Sequence, residues 1–532
     1  MDIYNKPQNT KAGRKSPPLY RKFKIPEKGR IRLVLILVLL VMGARLCGPM
    51  RGKRGAEPPV PATTDNSIVT DKKVAGVKDT LRDAIPRDNN NVSRKDKHRR
   101  APVPTTNSKN ILDDDIPPRK FQSRNKKRSA PKTPPRQPLP NHLMNFDDVR
   151  QLFKEHNIDI GSSTQTVVLD GSDGQRSRWG RDNKSIDNDT LTLSLSIDTA
   201  LQQYANRLFR RYKPRYGAAA VIDPATGRVL ALASFAGEGE DIDGGNLYVR
   251  SIFPAASVFK TVVAAAGVEH AKMNARTAIP HYGRHHTLFR TQLVENLRVS
   301  KDITLIDAFA YSVNPAFGRI ALFHTNKDAV IDFGRRFGFH DTIPFEVDSE
   351  VSVMLSPDSD FSIAEFASGF NRETKISPLF GALLAGAVSA DGIIYRPTVV
   401  DSIHSSLRDT SVYIRETEIW RRALKEPTAT EMRRLMSAVT RYGTARTNYR
   451  PLRESQRLRH FEYGGKTGNV NQLGLGRVDW FVGYARNPND KNQQVAVGVV
   501  TTHGEYWTVQ SSFIAAELTR RYLNRFVTNR GQ

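Results

Sequence analysis

Ser257-Val-Phe-Lys260 opens the apolar run Ser-Val-Phe-Lys-Thr-Val-Val-Ala-Ala-Ala. Residues three apart share a helix face, so the Ser257 hydroxyl and the Lys260 amine can meet. A serine hydroxyl is a weak nucleophile until a base takes its proton. Lysine becomes that base when burial and a nearby positive charge lower its pKa from about 10.4. At a helix N-terminus, Ser257 also has backbone N–H groups that can hold an oxyanion. The competing reading is a serine N-cap followed by a solvated lysine. Ser123-Arg-Asn-Lys126 and Ser129-Ala-Pro-Lys132 show the same spacing inside a Pro-rich tract and are read as coincidences.

Two further groupings follow in the chain. Ser312-Val-Asn314 stands after an apolar segment and before Pro315. On an extended piece its alternate residues point to one side. Ser312 could then relay a proton, and Asn314 could orient Lys260 or a substrate amide; alone, the triplet reads better as a polar turn. Lys466-Thr467-Gly468 follows Gly464-Gly465 at the expected end of a strand. Lys466 offers a cation and Thr467 a hydrogen bond to a substrate carboxylate, while Gly468 allows another backbone to approach closely. The last triplet arises by chance in roughly one such chain in ten. All three groupings in this order are far rarer.

The surrounding elements must bring these groups together. NFDDVRQLFKEHN, from Asn145, has the spacing of a short helix, and LTLSLSID, from Leu191, alternates like a strand. Thr199–Tyr212 is expected to be helical. YGAAAVID and RVLALASF flank Pro224-Ala225-Thr226-Gly227 and read as a hairpin. Helical segments are expected at Ser257–His270, Leu305–Tyr311 and Ile363–Phe370. Strands follow at His460–Thr467, Asp479–Ala485 and Gln494–Thr502, and a helix at about 512–526. Two strands early and three late, with a helical insertion between, predict an α+β fold. Its five-stranded antiparallel sheet would be completed by distant parts of the chain.

The 532 residues carry a net charge of +27, and most of it is N-terminal. Residues 1–145 hold 33 basic and 12 acidic side chains, and residues 146–532 hold 48 and 42. This argues against a folded nucleic-acid reader with a basic face, and nucleic acid is not an expected partner. The single cysteine, Cys47, excludes an internal disulfide framework and Cys-rich metal sites. Leu46 before it argues against a lipid anchor. Residues 1–30 read as a basic cytoplasmic tail and residues 31–47, around Leu33–Ala44, as a transmembrane signal anchor. The apolar run is short for a span, with Arg32 and Arg45 snorkelling to its ends. Cleavage after Val41-x-Gly43 and a buried core helix are the alternatives. Residues 48–145 hold 14 prolines and one aromatic, Phe121, and read as a disordered basic linker. Residues 146–190 form a small uncertain region, and residues 191–532 a catalytic domain.

With these motifs in this order, the chain resembles the penicillin-binding proteins, the serine D,D-transpeptidases that cross-link peptidoglycan. LSIDTALQQYA, AAAVIDPATGRVLALASF, DITLIDAFAYSVNPAFGRIALF, RYGTA (Arg441–Ala445) and DWFVGYA carry the resemblance over about residues 190–525. It implies a sheet packed between helices, as in these enzymes and the serine β-lactamases, and no cofactor. It implies Ser257 as the acylated nucleophile, Lys260 as its base, and Ser312, supported by Asn314, as the proton shuttle to the leaving D-alanine. Lys466, Thr467 and Gly468 would bind the donor's terminal carboxylate, and the backbone N–H groups of Ser257 and Asn469 would form the oxyanion hole. Asn469 departs from the threonine usual after this triplet, a difference that bears on substrate preference. Without a glycosyltransferase motif, the chain resembles a monofunctional, class B-like enzyme.

Expected partners are stem peptides ending in D-Ala-D-Ala, β-lactams, the inner (plasma) membrane and proteins of a cell-wall synthesis complex. The catalytic domain would lie on the extracytoplasmic side. Competing readings are a class D-like β-lactamase or β-lactam sensor, a D,D-carboxypeptidase or endopeptidase, and a catalytically idle scaffold. His281, His285 and His286 cluster in HYGRHH without a neighbouring carboxylate or cysteine, and read as a solvated loop rather than a metal site.

Overall fold

Asn145 caps helix α1 (Phe146–Glu155), accepting from the Asp148 N–H while Asp148 accepts from the Asn145 N–H. The computed structural model describes residues 144–169, 189–242, 244–296 and 300–528, all within the unit Lys126–Gln532. The tail and anchor expected over residues 1–30 and 31–47, and nearly all of the linker expected over 48–145, lie outside the described residues. So do the Ser123 and Ser129 matches. Among the described residues no helix is long and apolar enough to cross a membrane.

The elements that build the site are, in order, β1 (Thr164–Leu169), β2 (Asp189–Leu195), α2 (Thr199–Tyr212), β3 (Tyr216–Ile222) and β4 (Val229–Ala236). Helices α3 (Lys260–Glu269), α4 (Leu305–Ala310), α5 (Asn314–Ile320), α6 (Asp360–Ser368) and α7 (Pro378–Ser389) follow. Then come β5 (Val400–Ser405), β6 (Thr410–Ile414) and α8 (Glu426–Arg441). Strands β7 (Glu462–Gln472), β8 (Gly476–Asn487) and β9 (Asp490–His503) and helix α9 (Ser511–Leu523) complete them.

The central sheet has the order β7-β8-β9-β3-β4, antiparallel throughout. Every residue of β3 is buried, and β8 and β9 are buried almost end to end, so both faces must be covered. Helix α7, buried along its whole length, packs on β8, β9 and β3, while α9 packs on β8 and β9 and against α2. This is the α+β arrangement expected, with Tyr216 of β3 paired to Thr502 of β9 across most of the described chain.

Three local expectations are corrected. Lys466–Gly468 lies in mid-strand rather than at a strand end, because β7 keeps its register with β8 from Glu462 opposite Arg486 to Gln472 opposite Gly476. Ser257 does not open an α-helix: Ala256–Phe259 forms a 3₁₀ turn and α3 starts at Lys260. Ser312-Val-Asn314 is not extended. Ser312 has φ 58° and Asn314 begins α5, a start favoured by Pro315 in the first turn.

Residues 144–169 join a second sheet of order β1-β2-β5-β6. The boundary read at 190/191 falls inside its strand β2. The Ser196 hydroxyl, just after β2, donates to the Val229 carbonyl at 2.6 Å, at the first residue of β4.

Candidate active site

The turn carrying Ser257 is pinned from two directions. Trp480 of β8, fully buried, donates its indole N–H to the Pro254 carbonyl at 2.8 Å and lies edge-on to Phe253. On the other side is Gly369, which ends α6 with φ 65°. A Cβ there would sit 1.9 Å from the Ala256 carbonyl oxygen, so only glycine fits. Ala256 itself has φ 47° immediately before Ser257, a conformation that costs a non-glycine residue energy and persists only when its surroundings enforce it. Helix α3 behind it is apolar and buried nearly all round, as befits a helix at the centre of the molecule.

Lys260 is 0% exposed. Its Nζ lies 2.8 Å from Ser257 Oγ and donates to Asn314 Oδ1 at 2.7 Å and to the Ser368 carbonyl. Burial, and then the charge of Lys466, hold its pKa well below 10.5, so the neutral amine is favoured. Two N–H groups then keep the bonds to Asn314 and Ser368, and the lone pair faces the Ser257 hydroxyl. The spacing of Ser257 and Lys260 thus works through a 3₁₀-to-α junction rather than within one helix.

Lys466 is also 0% exposed and donates to Ser312 Oγ and to the Thr467 carbonyl, each at 2.9 Å. Burial brings its pKa down to about 7. Ser312 therefore joins the sheet to the helical side, and the Thr467 hydroxyl pairs with Thr444 at 2.6 Å. Thr444 is held by its N–H to the Ala310 carbonyl, 3.1 Å, at the end of α4. A Cβ on Gly468 would lie 3.1 Å from the Ala255 oxygen and 3.2 Å from the Val258 nitrogen, so glycine lets β7 lie against the Ser257 turn.

Ser257, Ser312, Asn314, Thr467, Gly468 and Asn469 border one cavity of about 400 Å³, with Lys260 and Lys466 beneath its wall. Several groups there were not foreseen: the Ser368 carbonyl, Thr444, Asp479 and His286. RYGTA was the available signal for Thr444. The HYGRHH loop is exposed from Tyr282 to His286, as read, but it also reaches the site. His286 borders the cavity, and the His285 carbonyl accepts the Asn314 N–H at 2.6 Å. Burial, and then Lys260, lower the His286 pKa. Gln292 fixes the loop, donating to the Tyr282 carbonyl at 2.7 Å and accepting the Phe289 N–H at 2.9 Å. Among the described residues no three His, Cys, Asp or Glu side chains are placed to hold a metal ion.

A hydroxyl beside a buried amine, facing a sheet strand that carries a second lysine, is the equipment of a serine acyltransferase. Residues 217–524 match the penicillin binding protein transpeptidase domain, and the chain belongs to that family. Stage V sporulation protein D of Bacillus subtilis is 20% identical over 311 residues, 56% of this chain and 47% of that protein. Peptidoglycan D,D-transpeptidase PbpA of Mycolicibacterium smegmatis is 25% identical over 320 residues, 55% of this chain and 62% of that protein. The chain thus spans between about half and three-fifths of the length of these curated relatives. The fold is also that of penicillin binding protein 3 from Mycobacterium tuberculosis in its crystal structure complexed with ampicillin. The TM-score is 0.52 at 19% identity, covering 64% of this chain and 80% of that one.

Proposed function

We propose that the protein is a peptidoglycan D,D-transpeptidase that works through an acyl-enzyme on Ser257. The observation that carries this is Lys260, fully buried, without a counter-ion among the described residues, and 2.8 Å from the Ser257 hydroxyl. Lys260 takes the Ser257 proton as the oxygen attacks the carbonyl between the two D-alanines of a stem peptide. The oxyanion is held by the backbone N–H groups of Ser257 and Asn469. Ser312, bridging toward Lys466, passes the proton to the departing D-alanine amine while Asn314 holds Lys260 in place. Lys466 and Thr467, with Thr444 beside them, take the terminal carboxylate. The amine of a neighbouring stem peptide then attacks the ester, and its proton returns to Ser257 by the same route.

β-Lactams are trapped at the same serine, a reading supported by the fold shared with a protein crystallised with ampicillin. Residues 31–47 anchor the chain in the plasma membrane, with the basic tail inside and the catalytic domain outside, beside other wall-synthesis proteins; the charge surplus of residues 1–30 supports this.

Full-length protein treated with a fluorescent penicillin is expected to carry a label stable for hours, absent from Ser257→Ala. A label that disappears while active protein is regenerated would make it a β-lactamase. No label on folded protein would overturn the enzymatic reading and leave the scaffold.

A further inference from the structure

We propose that an open groove beside the catalytic cavity binds a free carboxylate of the donor peptide, carried one or two residues before its D-Ala-D-Ala end. This rests on the reading of Ser257 given above and extends it to the substrate's upstream chemistry.

The groove, about 680 Å³, is lined by Arg372, Asn471, Leu473 and Arg477 among others. Arg477 borders both the groove and the catalytic cavity, so the two lie side by side. Strand β7 runs from one to the other and is an outer strand of its sheet, leaving an edge along which an extended peptide can add. From Gly468, against the Ser257 turn, to Asn471 is three residues, roughly 10 Å at about 3.3 Å per residue. A peptide following the strand therefore brings residues just upstream of the scissile bond to the groove.

The groove's chemistry selects an anion. Neither arginine is in an ion pair among the described residues. Arg372 is held by its Nε–H to the Asn471 carbonyl at 2.9 Å, which leaves its two terminal nitrogens for a ligand. Arg477 lies over the Trp507 ring, its guanidinium carbon 4.7 Å from the centroid, a contact that orients the guanidinium and uses none of its donors. Glu365 lies near enough to feel the charge of Arg372 without pairing with it among the described residues, and two other nearby acids have backbone partners. Asp479 is 7% exposed and accepts the Ser511 N–H at 2.6 Å, and Glu373 accepts the backbone N–H of Arg372 at 2.9 Å. Two pre-oriented guanidinium groups match one carboxylate well. Leu473, 95% exposed at the hairpin tip, supplies an apolar surface for the aliphatic part of a residue ending in that carboxylate.

The test uses full-length protein and two D-Ala-D-Ala peptides, identical except that the upstream carboxylate of one is a carboxamide in the other. D-Alanine release is expected to favour the free acid by about tenfold in kcat/KM, carried mainly by KM and weakened by salt. In Arg372→Gln/Arg477→Gln the acid-to-amide ratio is expected to fall to near one. Equal rates for both peptides in the unaltered protein, or an acid preference that survives the double substitution, would overturn the groove assignment alone. D-Alanine release from neither peptide would instead overturn the reading of Ser257 on which it rests.

Discussion

On the helical wall of the cavity Lys260 faces three oxygens, while on the sheet wall Lys466 faces two, and among the described residues neither lysine meets a carboxylate. Their surroundings bias them differently. Lys260 is disfavoured as a cation by burial and by Lys466, whereas the pKa of Lys466, about 7, reflects burial alone. An arriving carboxylate would raise the pKa of the lysine it meets and complete its charge. The helical wall is thus suited to accepting a proton and the sheet wall to accepting an anion. Two like groups acquire two roles from environment rather than from type.

The largest expected effect comes from removing the amine on the helical wall. Lys260→Met keeps the length and apolar stem, and is expected to slow acylation by a fluorescent penicillin about 10³-fold. A loss below tenfold would show that another group takes the Ser257 proton. Next in size is a change that moves the turn without touching either lysine. Gly369→Ala forces a left-handed alanine and a Cβ 1.9 Å from the Ala256 oxygen. It is expected to cost about 1–3 kcal/mol in unfolding free energy and to slow acylation by roughly 10–100-fold, as measured by denaturant titration and labelling rate.

Lys466→Met sharpens the contrast between the walls. It deletes the charge that helps to lower the Lys260 pKa, so that pKa should rise. The base is active when neutral, above its pKa, so the rising limb of acylation rate against pH is expected to move to higher pH. An unmoved limb would mean that burial alone sets Lys260. The rate at neutral pH should fall less than in Lys260→Met.

Much of the sheet was legible because its strands are apolar runs of strand length bounded by turn residues, as in YGAAAVID and RVLALASF. The order of the three motifs marked residues that border one cavity or lie beneath its wall. What could not be read depends on contacts without local periodicity. Strand β2 pairs with β5, some 200 residues later, so its place in a second sheet leaves no trace in its own alternation. The left-handed φ of Ser312 and the Ser368 carbonyl at Lys260 are set by packing, not by spacing. HYGRHH reads as polar loop sequence whether or not a buried Gln292 folds it over Asn314, and only the tertiary structure places His286 at the cavity.

The smallest expected effect concerns a buried carboxyl on the sheet wall, the counterpart of the two lysines. Burial raises the Asp479 pKa to about 7, against hydrogen bonds from Ser511 and Asn469 and the charge of Arg477. In the unfolded chain an aspartate titrates near 3.9. Between those values the folded protein holds a proton that the unfolded chain has released. The group's stabilising contribution is therefore full below about pH 4, declines as pH rises, and is gone above about 7. Asp479→Asn abolishes the ionisation and keeps an oxygen to accept the Ser511 N–H, now 2.6 Å from Asp479 Oδ2. Thermal unfolding from pH 5 to 8 should show the unaltered protein losing Tm relative to the variant as pH rises. Parallel curves would mean that Asp479 ionises normally. In that case the hydrogen bonds and Arg477, rather than burial, would govern this wall, which would then stabilise a buried anion as well as bind an arriving one.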